Sequence, residues 1–429
     1  MRKLMLFAGM VAAVAVLALS GCDDSGSLSP KIPSGIVGGA EEFLATQNGM
    51  RTAIVTDSKG QPHIAIDEGE AVRGTTLGFY DKVGGAWAQS SYNVAARYNG
   101  GVVWVWAPHM EIDSKDRMWV SALAIGAGGG DCGQAYFICD TVSTAPALSF
   151  LGMKTVAPKF PWEWDSGLLS LDPALPDEAI GVSHNSFWKR FAYDASNPNP
   201  LARLQATDPA PGQIPKVTGG EKTGFYISKA GSVAHATSGL HGVWHVAGHG
   251  HRSFASAYQN SVRMEAGKDP IKFAAYYRYA GLGEDYVWPG VCGDNLNPLV
   301  AYISSDYRNW AHGGGSSGGV CVNIYNPDIN PDEMLFPSEN NLTIDVDGTS
   351  GCQRFAPSMA AAKYGGVFIT WMHGNRVRVR YVGSDGVLGV ELDVADGQNP
   401  SVAVDGDGNV HLAYRNGGTI RYSKLTVNY

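Results

Sequence analysis

From Leu4 to Leu19 apolar and small side chains follow one another without a charge, and no comparable run recurs downstream. Past Cys22 the pattern changes to short stretches of alternation, such as "TAIVTDSKG", "PHIAIDEG", "PSVAVDGDG" and "VHLAYRNG". A period of two puts alternate side chains on opposite faces of a strand, and the Gly, Asn and Asp that punctuate the runs are turn residues. No stretch carries a convincing helical period. The pattern predicts an all-β body built of short strands.

The strands also repeat. Gly366 to Arg376, "GVFITWMHGNR", aligns without a gap on Gly242 to Arg252, "GVWHVAGHGHR". Val410 to Gly417 and Pro62 to Gly69 fall in the same frame, and each copy is preceded by a short strand, in "PSMAAAKYGG", "GSVAHATSG", "PSVAVDGDG" and "TAIVTDSKG". Weaker copies read "PHMEIDSKDRMWVSALAIG" and "GLLSLDPALPDEAIGVSHN", with a further unit around residues 286 to 310. Strand onsets near 54, 110, 169, 233, 287, 358 and 402 define seven units. Small sheets that bury both faces against their neighbours repeat in this way in β-propellers. The expected fold is one β-propeller of seven four-stranded blades over residues 36–429; six or eight blades also fit, and a β-sandwich is the competing arrangement. The stretch "SGIVGG" at 34–39 is a candidate to complete the last blade.

The first 22 residues read as an export signal, with Arg2 and Lys3 ahead of an apolar run too short for a stable membrane span. The run ends in Leu19-Ser20-Gly21-Cys22, which resembles a bacterial lipobox. That resemblance implies lipidation of Cys22, which becomes the N-terminus of a protein tethered to a membrane; a plain secretory signal is the alternative. Residues 23–35, "DDSGSLSPKIPSG", have the composition of a flexible spacer. The expected location is the bacterial cell envelope, on the periplasmic or the surface side, and Asp23 resembles an inner-membrane retention signal in some lineages.

Composition sharpens this picture. Glycine is 55 of 429 residues and only 17% are charged, against roughly 25% in ordinary domains. The net charge is -8 and becomes more negative once Arg2 and Lys3 are removed, which argues against nucleic acid as a partner. In an oxidising compartment Cys132 and Cys139, within "DCGQAYFICD", read as a disulfide stapling a local loop, with the pairing of Cys292, Cys321 and Cys352 open.

The repeat frame sorts the histidines. His63 and His411 take the place held by Phe368 and Trp244 in sister units, so they read as flat packing groups inside a blade. His249 and His373 share a different point, the turn after the second strand, where Glu68 and Asn416 stand in other units; His184 falls close to it. Such turns emerge on one face of a propeller together with the connections between blades. A rim of Glu68, His184, His249, His251 and His373 follows, joined by the aromatic stretch holding Trp162 and Trp164. On a strand His249 and His251 could share one ion, but a transition metal needs three or four ligands and His373 lies two units away. Asp405-Gly406-Asp407-Gly408-Asn409 invites a structural calcium but lacks the ligand pattern of an EF-hand, so a tight hairpin turn explains it better.

"YISSDYRNW" at 302–310 resembles a degenerate Asp-box of the sialidase-like (BNR-repeat) propellers, in which the box closes a hairpin. "GFYDKVGGAW" and "RYVGSDGVLG" show the same strand and turn without the box. The resemblance implies the propeller fold, and Lys31-Ile32-Pro33 departs from the arginine that true sialidases place near their start. Two functional readings follow. The first is a tethered binding module that holds a glycan or a protein partner at its rim, with Glu68, His251, His373, Trp162 and Trp164 in contact. The second is a carbohydrate-active enzyme, a uronate lyase or sialidase-like glycosidase. In a lyase His249 or His184 would act as base, Arg252 would neutralise the carboxylate and Tyr258 would protonate the leaving oxygen.

Overall fold

A computed structural model describes residues 29–46, 51–67, 76–93, 102–126, 132–140, 149–156, 168–171, 177–183, 187–199, 202–207, 222–227, 243–248, 258–264, 271–276, 283–293, 296, 301–311, 317–325, 342–347 and 357–429. Among these residues every regular element is a strand, and the strands form seven four-stranded antiparallel sheets rather than the two of a sandwich. Sheet 1 contains Thr52–Thr56, Pro62–Asp67, Thr76–Val83 and Ala86–Asn93. Sheet 2 contains Val102–Ile112, Arg117–Gly126, Cys132–Asp140 and Ser149–Val156, and sheet 3 contains Leu168–Leu171, Glu178–Ser183, Phe187–Tyr193 and Leu204–Thr207. Sheet 4 runs through Lys222–Ile227, Val243–Gly248, Tyr258–Met264 and Ile271–Tyr276; sheet 5 through Gly283–Gly293, Ala301–Ala311, Ser317–Tyr325 and Leu342–Asp347. Sheet 6 holds Ser358–Ala361, Val367–His373, Arg376–Val382 and Leu388–Asp396. Sheet 7 takes Gln398–Val404, Val410–Asn416 and Thr419–Asn428 from one end of the chain and Gly35–Thr46 from the other.

Local chemistry explains the strands. From Arg376 to Tyr381 the residues alternate, with Val377, Val379 and Tyr381 buried on one face and Arg376, Arg378 and Arg380 on the other. In Val410–Asn416 the first five residues are all buried, as expected of a strand covered on both faces. Gly84 and Gly85, at φ 59° and 86°, make the two-residue turn that "DKVGGAW" announces, because both positions need the left-handed backbone.

The core lies between sheets, not within them. Ile54, Ile64, Ile66 and Tyr80 of sheet 1 pack on Ala403, Ala413, Ile420 and Tyr422 of sheet 7. Phe368, Val377, Val379 and Tyr381 of sheet 6 meet Val402, Leu412, Tyr414 and Leu425 on the opposite face of sheet 7. The first strand of each sheet lies beside the first strand of the next, and Gln398–Val404 lies beside Thr52–Thr56.

Three expectations are corrected. The strand paired with Val243–Gly248 is Lys222–Ile227, with Phe225 opposite His245, and not "GSVAHATSG", which lies outside the described residues. "YISSDYRNW" closes no hairpin: it lies inside Ala301–Ala311, where Asp306 pairs with Trp288 on one side and Val320 on the other. The sequence there has no glycine to turn on. Cys132 and Cys139 cannot form a disulfide because they lie on one strand, Cys132–Asp140, opposite Ile125 and Met118. Seven residues of strand separate Cα atoms by roughly 23 Å, against the 4.4–6.8 Å or so a disulfide spans. Cys139 and Cys292 are buried thiols outside any disulfide.

Candidate functional site

The two ends of the sheets differ in chemistry. At the end where first strands turn into second strands, three sheets use one device among the described residues. Asp57, Asp113 and Asp405 each accept, through Oδ1, the backbone N–H groups two and four residues on: Lys59 and Gln61, Lys115 and Arg117, Asp407 and Asn409. The residue three places on is left-handed in every case: Gly60, Asp116 and Gly408. The second carboxylate oxygen then reaches a side chain six residues on. Asp113 Oδ2 accepts the Trp119 indole N–H at 2.9 Å, Asp405 Oδ2 lies 3.0 Å from His411 Nε2, and Asp57 Oδ2 lies 3.5 Å from His63 Nε2. His63 and His411 are thus buried, as expected, and each is also joined to charged neighbours, Asp57 and Asp81 for His63 and Asp405 for His411. Asp405 also accepts from Lys424 Nζ at 2.9 Å, so neighbouring donors take up the carboxylate that a calcium reading would require.

The same position titrates in opposite directions in sheets 1 and 7. Burial works against the His63 cation, but hydrogen bonding and charge from Asp57 and Asp81 outweigh it and raise the imidazole to about 9; Nδ1 lies 2.6 Å from Asp81 Oδ1. For His411 burial prevails, with Lys424 and Lys82 adding repulsion against the pull of Asp405, and the pKa falls. Its Nδ1 meets the Tyr422 hydroxyl at 2.8 Å. Burial would also raise Asp405, yet His411, Lys424 and Asn409 hold it far below the usual carboxylate range.

At the opposite end, where second strands turn into third strands, stands His373, the last residue of Val367–His373 and partly exposed. Its Nδ1 lies 2.7 Å from Oδ2 of Asp345, which belongs to the outermost strand of sheet 5 and also accepts the Trp371 indole N–H at 2.6 Å. The pair fixes the imidazole from the neighbouring sheet. Beyond it, Arg376 bonds Asp393 and Asp396, and Arg378 and Arg380 face Glu391, forming a cross-strand ladder of ion pairs. The turn after His373 is tied to sheet 7 by Gly397, whose N–H donates to the Asn375 carbonyl.

Of the residues singled out from sequence, His373 is therefore placed with its partners. Tyr258 opens the strand Tyr258–Met264, and the backbone of the next residue, Gln259, pairs with Gly248. Glu68, His184, His249, His251, Arg252, Trp162, Trp164 and Cys22 lie outside the described residues. Among the described residues no three His, Cys, Asp or Glu side chains come together as a metal site. Asp345 was missed as a functional partner because it stands 28 residues before His373 and on another sheet. The aspartate staples did leave a signal, an Asp six residues before His, Trp and His in three copies of the repeat.

No family model matches the chain, and no curated protein sequence matches it. Among solved structures, the chain is similar to the GH93 α-L-arabinofuranosidase of Fusarium graminearum in complex with arabinobiose, at 10% identity and TM-score 0.47 over 91% of this chain and 98% of that one. It is similar to the α-L-arabinanase of Penicillium chrysogenum, also with arabinobiose, at 9% identity and TM-score 0.47 over 93% and 98%. A protein of unknown function from Dyadobacter fermentans gives 12% identity and TM-score 0.47 over 92% and 100%. At these scores the fold class rests on the strand pairing itself.

Proposed function

We propose that residues 36–429 form one closed seven-bladed β-propeller, held to a membrane by a lipidated Cys22, that binds a glycan along the edge where second strands turn into third strands. The cyclic order of neighbouring first strands, and a last sheet assembled from both ends of the chain, support closure. The observation that carries the binding reading is His373, partly exposed at that edge and oriented by Asp345. An imidazole already fixed in direction meets a sugar hydroxyl without the ordering cost of a mobile side chain. In this reading Glu68, His184, His249, His251 and Arg252 belong to the same edge, since each falls between a second and a third strand of its unit. Trp162 and Trp164, between the last strand of sheet 2 and the first of sheet 3, supply stacking faces.

The Asp345–His373 pair also favours a second reading, turnover of the bound glycan. A carboxylate that accepts from Nδ1–H leaves Nε2 as the basic nitrogen, the arrangement that general bases use to take a proton beside a uronate carboxylate. A glycan array run beside an absorbance screen for unsaturated uronate products tests both. Saturable binding that His373→Ala weakens at least tenfold, with an unchanged melting temperature, is the expected result. Product formation that His373→Ala abolishes would replace the binding reading with the lyase reading, and a silent His373→Ala would remove this edge from either.

A further inference from the structure

The segment that leads from the spacer into the body docks at one particular end of the sheets. The Lys31 N–H donates to the Tyr364 carbonyl at 3.2 Å, and Lys31 Nζ lies 4.5 Å from the centre of the Tyr364 ring. Pro33 is buried, and both the N–H and the hydroxyl of Ser34 donate to the Asn428 carbonyl. Tyr364 belongs to the turn between the first and second strands of sheet 6. Its ring meets that of Tyr429 edge-on at 4.6 Å, and the Tyr429 hydroxyl donates to the carbonyl of Gly408, in the corresponding turn of sheet 7. The chain therefore enters the body at the end that carries the aspartate staples. His373 and Asn375 lie at the other end of the strand Val367–His373.

The tether is short. From Cys22 to Lys31 is nine residues, which fully extended reach about 30 Å. A Ser- and Gly-rich chain of that length has an ordinary span of about 17 Å. The strand Val367–His373 is itself about 20–23 Å deep. To turn the His373 edge toward the bilayer, the tether would have to run back along the full depth of the sheet at roughly two-thirds to three-quarters of its greatest extension, beyond its ordinary span. With the tether relaxed, the staple end stays nearest the headgroups.

We infer that the anchored protein faces the bilayer with the end formed by its first-to-second-strand turns, exposing Lys31 and Lys59 to the headgroups, and holds the His373 edge outward. This orientation rests on the lipidated Cys22 of the preceding section. It places the candidate glycan edge where soluble or neighbouring-cell polymers arrive, and makes the lipid surface the partner of the opposite face.

The full chain, processed and acylated in a bacterial host, is reconstituted in vesicles of phosphatidylethanolamine and phosphatidylglycerol that contain an acceptor-labelled lipid. A donor dye is attached through Lys59→Cys or Asn375→Cys, with the wild-type chain, carrying its own thiols, as background, and vesicle flotation is scored in parallel with Cys22→Ser. The expected result is energy transfer about twofold or more stronger from position 59 than from position 375, given a depth difference of roughly 20 Å. Equal transfer, or stronger transfer from 375, with the protein floating on the vesicles, overturns the orientation and leaves the anchor standing. Failure of the wild-type chain to float, or flotation of Cys22→Ser to the same extent, overturns the anchor and the orientation with it.

Discussion

Replacing His63 by Phe tests whether a histidine buried in a sheet interior is held as a cation. Phe is the residue that a sister sheet carries at the equivalent place, as Phe368, so the substitution suits the local packing. His63 is 3% exposed, and its pKa is raised from 6.5 to about 9 by Asp57 and Asp81 against the opposing effect of burial. A raised imidazole stabilises the fold fully below its unfolded value and loses that contribution as pH climbs through its folded value. The window therefore runs from pH 6.5 to about 9. At about 1.4 kcal/mol per tenfold change in proton affinity, the contribution that disappears across it is about 3 kcal/mol. Urea unfolding from pH 6 to 9.5 reads it as the difference between wild type and His63→Phe, in which every other titrating group, His411 included, cancels to first order. The wild-type advantage should shrink by that amount as pH rises. Following the His63 ring resonance by NMR in the wild-type chain gives the same number without a variant. A difference that stays flat across the window, or a ring that titrates near 6.5, would refute the two-carboxylate account.

Asp405→Ala removes the acceptor for two turn N–H groups, the buried His411 and Lys424, and should cost about 3–5 kcal/mol in urea unfolding, whereas Asp407→Ala, exposed in the same turn, should stay within about 0.5 kcal/mol. Because the folded Asp405 pKa is depressed, its contribution is present above the ordinary carboxylate range and is lost as pH falls through the folded value, so the Asp405→Ala deficit should narrow in strong acid. At Gly366, with φ +80°, an added Cβ would sit 2.5 Å from the Val382 carbonyl oxygen and 2.6 Å from the Tyr381 hydroxyl, so Gly366→Ala should lower stability by about 3 kcal/mol or more. Gly417→Ala, with φ +55° and open space around it, should cost only about 1 kcal/mol, both glycine variants being read by urea unfolding.

The strands were legible because both the alternation and the turn residues are local. The frame that aligns Phe368 with His411 and His63 is the frame the sheets use, with Ile369 opposite Met359, Leu412 opposite Val402 and Ile64 opposite Ile54. Where 15 residues separate the first strand, Lys222–Ile227, from the second, Val243–Gly248, the frame failed, and a nearer stretch took its place. Cys132 and Cys139 were misread for a related reason: proximity in sequence suggests a loop, but "CGQAYFICD" extends as a strand and carries its ends apart. The partners of the histidines were the least legible part. Asp57 and Asp405 were visible within their own turns, yet their reach to position i+6 depends on strand pairing. Asp81 and Asp345 come from a third strand and from a neighbouring sheet, and no local pattern announces either.

The last sheet joins residues that are made far apart in time. Gly35 pairs with Asn428 and Thr46 with Thr419, so Gly35–Thr46 waits, without its hydrogen-bonding partner, until the strand Thr419–Asn428 has been synthesised. Closing a loop of that length costs about 5 kcal/mol of chain entropy, repaid only when the whole strand zips. A nascent chain therefore carries two raw strand edges, exposed to proteases and to the edges of other copies. It becomes a finished molecule in one late step, within which neither terminal strand can be trimmed without unlatching the other.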